Sequence, residues 1–433
     1  MASSVNVALP TIGKEFALDA VLLSWVATSY LLAAAMFLVP MGRAADIYGR
    51  KRIFTLGVAV YTAASLALAF SPTITLLIIM RVVQGAGAAM TFGTSTAMLM
   101  SVYPREKRGH VLGIATAAVY IGLTIGPFVG GVLTEHLGWR SIFALQFPLG
   151  VLTLLLVSWK IKGEWRESLG ERFDTVGSLI YAGAIVCTLY GFSILPSPWG
   201  GALLLAGIAG TFVFLKWASS QPHPVISLGL VKGNTAFVFS NLAALINYSA
   251  TFAVTFLLSL YLQYIKGLGP RDAGIALVAQ PALMAAVSPL AGRLSDRIEP
   301  RIVSSIGMAL TCVALLSLAF IGSDTELAWI VAILIVLGIG FGLFSSPNAN
   351  AVMSSVQPRH YGVAAATTGT MRLVGQMFSM GLAMFMFSLF VGHVQITPEY
   401  YPQFVTATHW AFGIYAAVCF AGVFVSLARG NVR

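Results

Sequence analysis

The stretch GRAADIYGRKR, residues 42–52, decides the fold, because a stretch of the same pattern, GRLSDRIEPR, returns at residues 292–301. The aspartates of the two stretches, Asp46 and Asp296, stand 250 positions apart. A second pair repeats at an offset of 253: RVVQGAGAAM with a following PREKRG, and VLGIGFGLF with a following PRHYG. Two repeats at nearly the same offset predict a chain built from two parallel halves.

Composition places both halves in a membrane. Hydrophobic residues make up 58% of the 433 residues and charged residues only 9%, whereas soluble domains are about a quarter charged. The formal net charge of +10 comes from short basic clusters between apolar runs. Since these clusters do not form one basic face, we expect the lipid bilayer, and no nucleic acid, as the partner of this chain.

Apolar runs long enough to cross a bilayer mark thirteen full spans and a short first one. The full runs lie near 21–41, 53–71, 73–99, 109–134, 141–159, 175–194, 199–217, 234–262, 272–294, 302–322, 328–350, 362–391 and 407–427. Residues 1–13 form the short one, which at about 1.5 Å per residue reaches only about 20 Å. Because six spans with their loops fill about 200 residues, the 250-residue offset leaves room for two extra helices. We therefore expect a six-helix half at 1–160, two added helices with their connections at 161–232, and a second half at 233–433.

The 25 Lys and Arg residues fix an expected orientation, since basic loops are retained in the cytoplasm. Four of them, Lys14, Arg140, Lys266 and Arg271, fall on one side, and two, Arg81 and Arg372, lie within spans. The other nineteen, Arg429 among them, fall in loops on the opposite side. This predicts a multi-pass protein of the cytoplasmic membrane with both termini in the cytoplasm.

These stretches resemble the major facilitator superfamily and, more narrowly, its fourteen-span drug:proton antiporter branch. GRAADIYGRKR is similar to the family's loop signature after span 2, although Ile47 stands where a basic residue is usual. RVVQGAGAAM, with Arg81 and Gln84, resembles the span 4 signature in full. The resemblance covers nearly the whole chain. It implies an all-α membrane protein with the major facilitator fold, two six-helix pseudo-repeats plus two linker helices, fourteen spans in all with the first one short.

Span 5 carries the part of the resemblance that implies export. Its glycines follow a pattern associated with exporters, and they are Gly113, Gly122, Gly126, Gly130 and Gly131, with Pro127 among them. We expect Gly122, Gly126, Gly130 and Gly131 to lie on one helix face, where residues without a Cβ let another helix approach closely. Pro127 removes one helix hydrogen bond and permits a bend. A static packing seam and a flexing gate both fit this pattern, and the spacing favours the gate.

Charged groups supply further candidates for gating and coupling. The resemblance implies that Asp46 latches the cytoplasmic side against span 13 near Arg108, and a weaker second copy at Asp296 would do the same. Arg81 and Arg372 lie deep in spans, where a charge costs at least about 2.5 kcal/mol and is a functional hypothesis by default. For Arg81 the alternative is a structural hydrogen bond to backbone carbonyls, and for Arg372 it is helix packing.

Proton coupling needs a titratable group that the transport pathway can reach. The antiporter branch normally has an aspartate in span 1 at the place where this chain has Met1. Coupling would then use Asp46, Glu135 or Asp174, or the protein would be an uncoupled facilitator.

A substrate cavity would be lined by neutral, aromatic and Met side chains, which suit lipophilic or zwitterionic compounds. The candidates are Asn6, Tyr30, Met36, Tyr120, Asn247, Tyr248, Gln280, Asn348, Arg372, Gln376 and Met380. Each of them also has a structural interpretation, since intramembrane Asn, Gln and Tyr commonly bond one helix to another.

The expected function is export of small lipophilic or amphiphilic molecules by alternating access, with protons as the counter-substrate. The alternatives are a dedicated metabolite or lipid exporter and an uncoupled facilitator. We expect a monomer without cofactor or metal, and no enzyme, because no metal-ligand, nucleophile or nucleotide motif occurs in the sequence. A membrane sensor would need a soluble output domain, and the longest polar stretch is about a dozen residues.

Overall fold

The computed structural model describes residues 2–102, 108–166, 168, 170–195, 197–222, 224–225, 234–295, 297–356, 361–392 and 394–430. Fourteen α-helices follow one another along the chain, and this part of it contains no strand. The helices are α1 Ala2–Glu15, α2 Ala20–Tyr48, α3 Arg50–Ala69, α4 Ile74–Val102, α5 Arg108–Leu137, α6 Arg140–Lys160, α7 Thr175–Ser193, α8 Pro198–Ser220, α9 Thr235–Leu260, α10 Pro270–Ser295, α11 Pro300–Leu318, α12 Leu327–Ser354, α13 Tyr361–Phe390 and α14 Tyr401–Ala428. The predicted all-α fold is confirmed.

Twelve of the helices are long and apolar enough to cross a membrane, judged over the described residues. The first helix, α1, has only 14 residues, in agreement with the short first segment of the sequence. The fifth, α5, has 30 residues, and part of its side chains lies outside the described set. The membrane topology with fourteen spans therefore stays a prediction, although all fourteen predicted helices are present.

The chain divides into two compact units. Unit 1 comprises Met1–Ser24, Ala117–Trp139 and Gly229–Arg433, and unit 2 comprises Trp25–Thr116 and Arg140–Leu228. The predicted boundaries at residues 160 and 232 are not tested by this division and stay a prediction.

In unit 2, α3 packs along α4 and α6, and the two added helices, α7 and α8, pack against each other. The Tyr181 hydroxyl on α7 donates to the Ala35 carbonyl on α2 at 3.0 Å, and the Tyr181 ring packs on Phe214 of α8. The two added helices are therefore docked onto α2.

In unit 1, a run of aromatic rings fills the interior. Phe256 of α9, Phe387 of α13 and Phe404 of α14 follow one another at centroid distances of 6.0 and 5.5 Å, and each ring is fully buried. A π-helical turn, Tyr261–Ile265, ends α9. Such turns are rare and often lie at functional sites.

Candidate transport site

Arg81 lies in the interior of α4 and is 3% exposed. Its Nε donates to the Val26 carbonyl at 2.9 Å and its Nη1 to Gln84 Oε1 at 2.6 Å. The guanidinium carbon stands 4.5 Å from the centroid of the Tyr30 ring, within the range of a cation–π interaction. Among the described residues, no carboxylate pairs with Arg81. The positive charge is therefore held by a carbonyl, an amide and an aromatic face, all of them neutral.

Gln84 extends this network to two more helices. Its Nε2 donates to Ser65 Oγ on α3 at 2.8 Å and to Gln146 Oε1 on α6 at 3.0 Å. The Tyr61 hydroxyl donates to the same Gln146 oxygen at 2.7 Å. Sequence reasoning missed Gln146, and the only signal was an intramembrane amide two residues before Pro148. The network joins α2, α3, α4 and α6 within unit 2, so a change at Arg81 reaches four helices.

The second half of α5 packs closely on α1 and α10 in unit 1. A Cβ added at Gly130 would lie 2.7 Å from Ser4 Cα of α1, and one at Gly131 would lie 2.5 Å from the Pro270 carbonyl oxygen of α10. A Cβ at Gly274 of α10 would lie 2.4 Å from the Pro127 carbonyl oxygen. These distances are too short for any side chain, so the glycines are required by the approach of the backbones.

A hydrogen bond completes this seam. Ser4 Oγ on α1 donates to the Gly126 carbonyl on α5 at 2.8 Å. Gly126 and Pro127 are both buried. Because Pro127 cannot donate the usual helix hydrogen bond, α5 can bend in the segment that packs most closely on its neighbours.

The expectation that the four glycines share one face is wrong in two respects. Gly122 is exposed, and a Cβ there would meet no described atom within 4 Å. Gly130 and Gly131 are consecutive, so they lie about 100° apart around the helix axis and face two different helices. Three helices, α1, α5 and α10, meet at this seam, and Gly122 lies outside it.

The short helix α1 is fastened to the end of α9. Pro10 lacks the N–H that would bond the Asn6 carbonyl, and Ser259 Oγ donates to that oxygen instead at 2.8 Å. In the π-helical turn, Gln263 Nε2 donates to the Val7 carbonyl at 2.9 Å. The proline kink and the polar side chains of α9 thus complement each other, and Asn6 itself is buried.

Asp46 is engaged by the helix that follows it. Asp46 Oδ1 accepts from Arg50 Nε at 3.0 Å and from Arg50 Nη2 at 2.8 Å. Arg50 is 6% exposed, so it is not an anchor reaching for the membrane surface. Asp296 and the Arg108 side chain lie outside the described residues. A latch between Asp46 and span 13 stays a prediction.

The other two candidate coupling carboxylates, Asp174 and Glu135, both accept hydrogen bonds from neighbouring groups. Asp174 caps α7, accepting from the Gly177 backbone N–H at 2.8 Å, and it also accepts from Trp217 Nε1 at 3.1 Å. Glu135 accepts from the backbone N–H of Arg271 at 3.1 Å, at the start of α10. A carboxylate at a helix N-terminus is stabilised by the helix dipole, so a structural role accounts for both groups.

The cavity candidates separate by burial. Asn247, Asn348 and Met380 are 0%, 3% and 0% exposed, so none of them lines a water-filled cavity in this structure. The Asn247 side-chain amide has no hydrogen-bond partner among the described residues, whereas the Asn348 side chain accepts from Arg429. Tyr30, Asn6 and Gln280 are also buried, and the Tyr120 side chain lies outside the described residues. Half-buried side chains remain at Met36, Tyr248, Arg372 and Gln376.

Two of these half-buried residues differ in how they are held. The Tyr248 ring packs edge-on against Phe341 at 5.3 Å between centroids, beside the buried Met284. Arg372 makes no hydrogen bond or ion pair with a described residue. Arg372 therefore keeps the character of a deep unpaired charge, as its position in α13 predicts.

Arg429 is a second buried guanidinium, and the positive-inside count gives no sign of its burial. It follows α14, is 1% exposed, and donates from Nη1 to Asn348 Oδ1 at 3.0 Å and to Ser240 Oγ at 3.3 Å. Its Nη2 donates to Ser304 Oγ and, at 2.5 Å, to Ser426 Oγ. Burial, together with the neighbouring Arg301, lowers the pKa of Arg429 to about 10, so it stays protonated at neutral pH. The residue joins the ends of α9, α11, α12 and α14 in unit 1.

No group of His, Cys, Asp or Glu side chains among the described residues could hold a metal ion. The cysteines are free, and two of them, Cys312 and Cys419, donate weakly to helix carbonyls.

A helical chain of this composition, with repeated loop signatures and an arginine held deep inside a membrane helix, is a transporter rather than an enzyme. The protein belongs to the major facilitator superfamily, whose family model matches residues 1–380 and 240–431.

Relatives among characterised proteins are transporters and resistance proteins. The riboflavin transporter RibZ of Clostridioides difficile is 29% identical over 98% of this chain and 93% of its own length. The multidrug resistance protein Stp of Mycobacterium tuberculosis is 31% identical over 86% of this chain and 70% of its own. The cephamycin export protein CmcT of Amycolatopsis lactamdurans is 31% identical over 88% and 80%.

Solved structures agree in fold. A bacterial homologue of the human lysosomal transporter Spinster aligns with a TM-score of 0.66 at 15% identity over 99% of this chain and 92% of its own. A peptide transporter POT aligns with a TM-score of 0.69 at 13% identity over 97% of this chain and 90% of its own. At these identities the likeness concerns the fold alone.

Proposed function

We propose that the protein exports small lipophilic or amphiphilic compounds by alternating access, driven by proton entry. The relatives named for multidrug resistance and cephamycin export support an exporter of this class. In unit 1, the neutral side chains of Tyr248 and Gln376, both half-buried, support a substrate of low charge.

The observation that carries the proposal is the close seam of α5 on α1 and α10. Exporter-type glycines at Gly130 and Gly131 allow backbone contact with Ser4 and Pro270. Backbones this close leave no path for a solute between the helices. Pro127, which lies in the same seam, supplies the weak point at which α5 bends, so the seam has the properties of a gate rather than of a fixed joint.

Arg81 is the proposed coupling element. A buried positive charge repels other cations, and moving Arg81 would break its hydrogen bonds to Val26 and Gln84 but no ion pair with a described residue. A proton entering near Arg81 would change the electrostatic energy of the guanidinium, most strongly at short range. The bonds of Gln84 to α3 and α6 would transmit that change to the helices of unit 2.

Everted membrane vesicles test the proposal. An imposed proton gradient, acidic inside, should drive uptake of a lipophilic cation such as ethidium, and a protonophore should abolish it. Uptake that is unaffected when the gradient is collapsed would rule out antiport. Absence of uptake for every lipophilic compound tried would rule out multidrug export.

A dedicated carrier of one heteroaromatic metabolite is the second candidate, and one observation favours it. The similarity to RibZ extends over 98% of this chain, further than the similarity to the multidrug relatives. Competition separates the two candidates. A dedicated flavin carrier should take up riboflavin with saturation and without competition from ethidium, whereas a multidrug exporter should show mutual inhibition.

A further inference from the structure

A groove of about 650 Å3 lies on the surface of unit 2, between the first turns of α3 and the chain that follows α6. Its lining residues are Lys51, Arg52, Thr55, Leu56, Ala59, Gly163 and Glu164. The proposed function uses none of them. The charge count predicts that this end of α3 lies at the cytoplasmic edge of the membrane.

Positive charge gathers at one end of the groove. Arg52, one of the lining residues, is exposed and makes no hydrogen bond or ion pair with a described residue. Lys51 Nζ donates to the Ile161 carbonyl at 2.5 Å, which holds its ammonium beside the same opening. Among the described residues that line the groove, the one carboxylate is that of Glu164, and it accepts from the Lys51 backbone N–H at 2.9 Å. The groove lining therefore has a net positive charge, and the guanidinium N–H groups of Arg52 can donate to a bound anion.

The other end of the groove is apolar. Arg52, Leu56 and Ala59 recur at intervals of four and three residues, so they lie on one face of α3. Leu56 is 50% exposed. From Arg52 to Ala59 the helix advances about 10 Å towards the membrane interior. Nearby, Trp159 is 66% exposed, with Lys160 Nζ 3.7 Å from its ring centroid, a pairing common at membrane interfaces.

We propose that this groove binds an anionic phospholipid. The phosphate lies between the Arg52 guanidinium and the Lys51 ammonium group, and one acyl chain runs along Leu56 and Ala59. An apolar groove alone would accept any lipid. The unpaired guanidinium makes the site selective, because an anionic headgroup brings a net charge that a zwitterionic headgroup lacks.

Lipid retention by the purified protein measures the selectivity. The full chain is incubated in detergent with equal amounts of phosphatidylglycerol and phosphatidylcholine, and bound lipid is counted by native mass spectrometry. We expect phosphatidylglycerol to be retained preferentially. Arg52→Gln should weaken its binding about fivefold, the effect of about 1 kcal/mol per cation near an anionic surface.

Two further variants separate the parts of the site. Ala59→Trp fills the apolar end without changing any charge, so it should also reduce retention of phosphatidylglycerol. Lys216→Gln, which removes an exposed positive charge from the end of α8, is the matched control and should leave retention unchanged. Thermal melting confirms that each variant is folded.

Equal retention of the two lipids by the wild type would overturn the proposal. So would equal losses in Arg52→Gln and Lys216→Gln, since charge alone would then explain binding. Loss in Arg52→Gln with full retention in Ala59→Trp would overturn the acyl-chain placement. None of these outcomes depends on transport, so a failure here leaves the proposed export function standing.

Discussion

Arg81 in unit 2 and Arg429 in unit 1 are both buried guanidinium groups without a carboxylate partner among the described residues, yet they are held differently. Arg81 lies inside α4 and rests on a carbonyl, an amide and the Tyr30 ring. Arg429 lies just beyond α14 and donates to four side chains from four helices.

The difference lies in how much each arrangement would lose on rearranging. Moving Arg429 leaves several buried hydroxyl and amide groups unpaired, and each such group costs about 1–3 kcal/mol. Moving Arg81 breaks fewer contacts: two hydrogen bonds, to Val26 and Gln84, and the cation–π contact with Tyr30. We infer that Arg429 is a fixed joint of unit 1 and that Arg81 is the mobile charge.

The largest expected effect is on transport by Arg81 variants. Arg81→Ala should lower proton-driven uptake at least about 100-fold, equivalent to about 2.7 kcal/mol. Arg81→Lys keeps the charge but loses the fork of donors that reaches Val26 and Gln84, so it should retain partial activity. Both are measured in everted vesicles at matched protein amounts. Normal uptake by Arg81→Ala would break the comparison.

Arg429→Ala should act on stability instead. Losing the hydrogen bonds to Ser240, Asn348 and Ser426 should lower the free energy of unfolding by about 2–4 kcal/mol. Thermal melting of the purified protein in detergent measures the loss. Arg429→Lys has three donors instead of five, so its free energy of unfolding should lie between those of the wild type and Arg429→Ala. An unchanged melting temperature in Arg429→Ala would show that the Arg429 hydrogen bonds do not stabilise the protein.

The seam of α5 offers a matched pair of glycines. Gly131→Ala adds a Cβ against the Pro270 carbonyl oxygen and should reduce uptake about tenfold, equivalent to about 1.4 kcal/mol. Gly122→Ala adds the same atom in open space and should leave uptake unchanged. Transport assays at equal expression compare them. Equal losses would show that helix flexibility, and not close approach, explains the glycines.

The smallest expected effect concerns α1. Ser259→Ala leaves the Asn6 carbonyl without its donor, which should lower the free energy of unfolding by about 1 kcal/mol. Ser317→Ala removes an exposed hydroxyl bonded only within its own helix and serves as the control. Thermal melting compares the two. A loss no greater than the control's would mean that α1 is held by apolar packing alone.

Much of the fold could be predicted from the sequence because each membrane-spanning helix requires a long apolar run. The apolar runs predicted all fourteen helices, and composition alone predicted the lipid environment. The two halves that the repeats at Asp46 and Asp296 indicate stay a prediction. The helix bounds differ from the apolar runs because helices continue past the membrane edge. For example, α3 begins at Arg50 and not near residue 53.

The candidate site was predicted less completely, because charge patterns do not reveal which groups are buried together. Arg429 was counted only as a cytoplasmic charge, and its hydrogen bonds to Ser240 of α9 and Ser304 of α11 show that it joins helices. Gln146 carried no motif, although it binds both Gln84 and Tyr61. Gly122 matched the exporter spacing, and yet a Cβ added there would meet no described atom within 4 Å.

The central claim is that Arg81 couples transport to protons and that Arg429 stabilises unit 1. One paired measurement tests it most directly. Proton-driven ethidium uptake is measured for Arg81→Gln and Arg429→Gln and divided by the amount of folded protein in each vesicle preparation. We predict that Arg81→Gln is inactive and that Arg429→Gln transports within about twofold of the wild type, equivalent to about 0.4 kcal/mol. Wild-type activity in Arg81→Gln, or equal loss in both variants, would contradict the account.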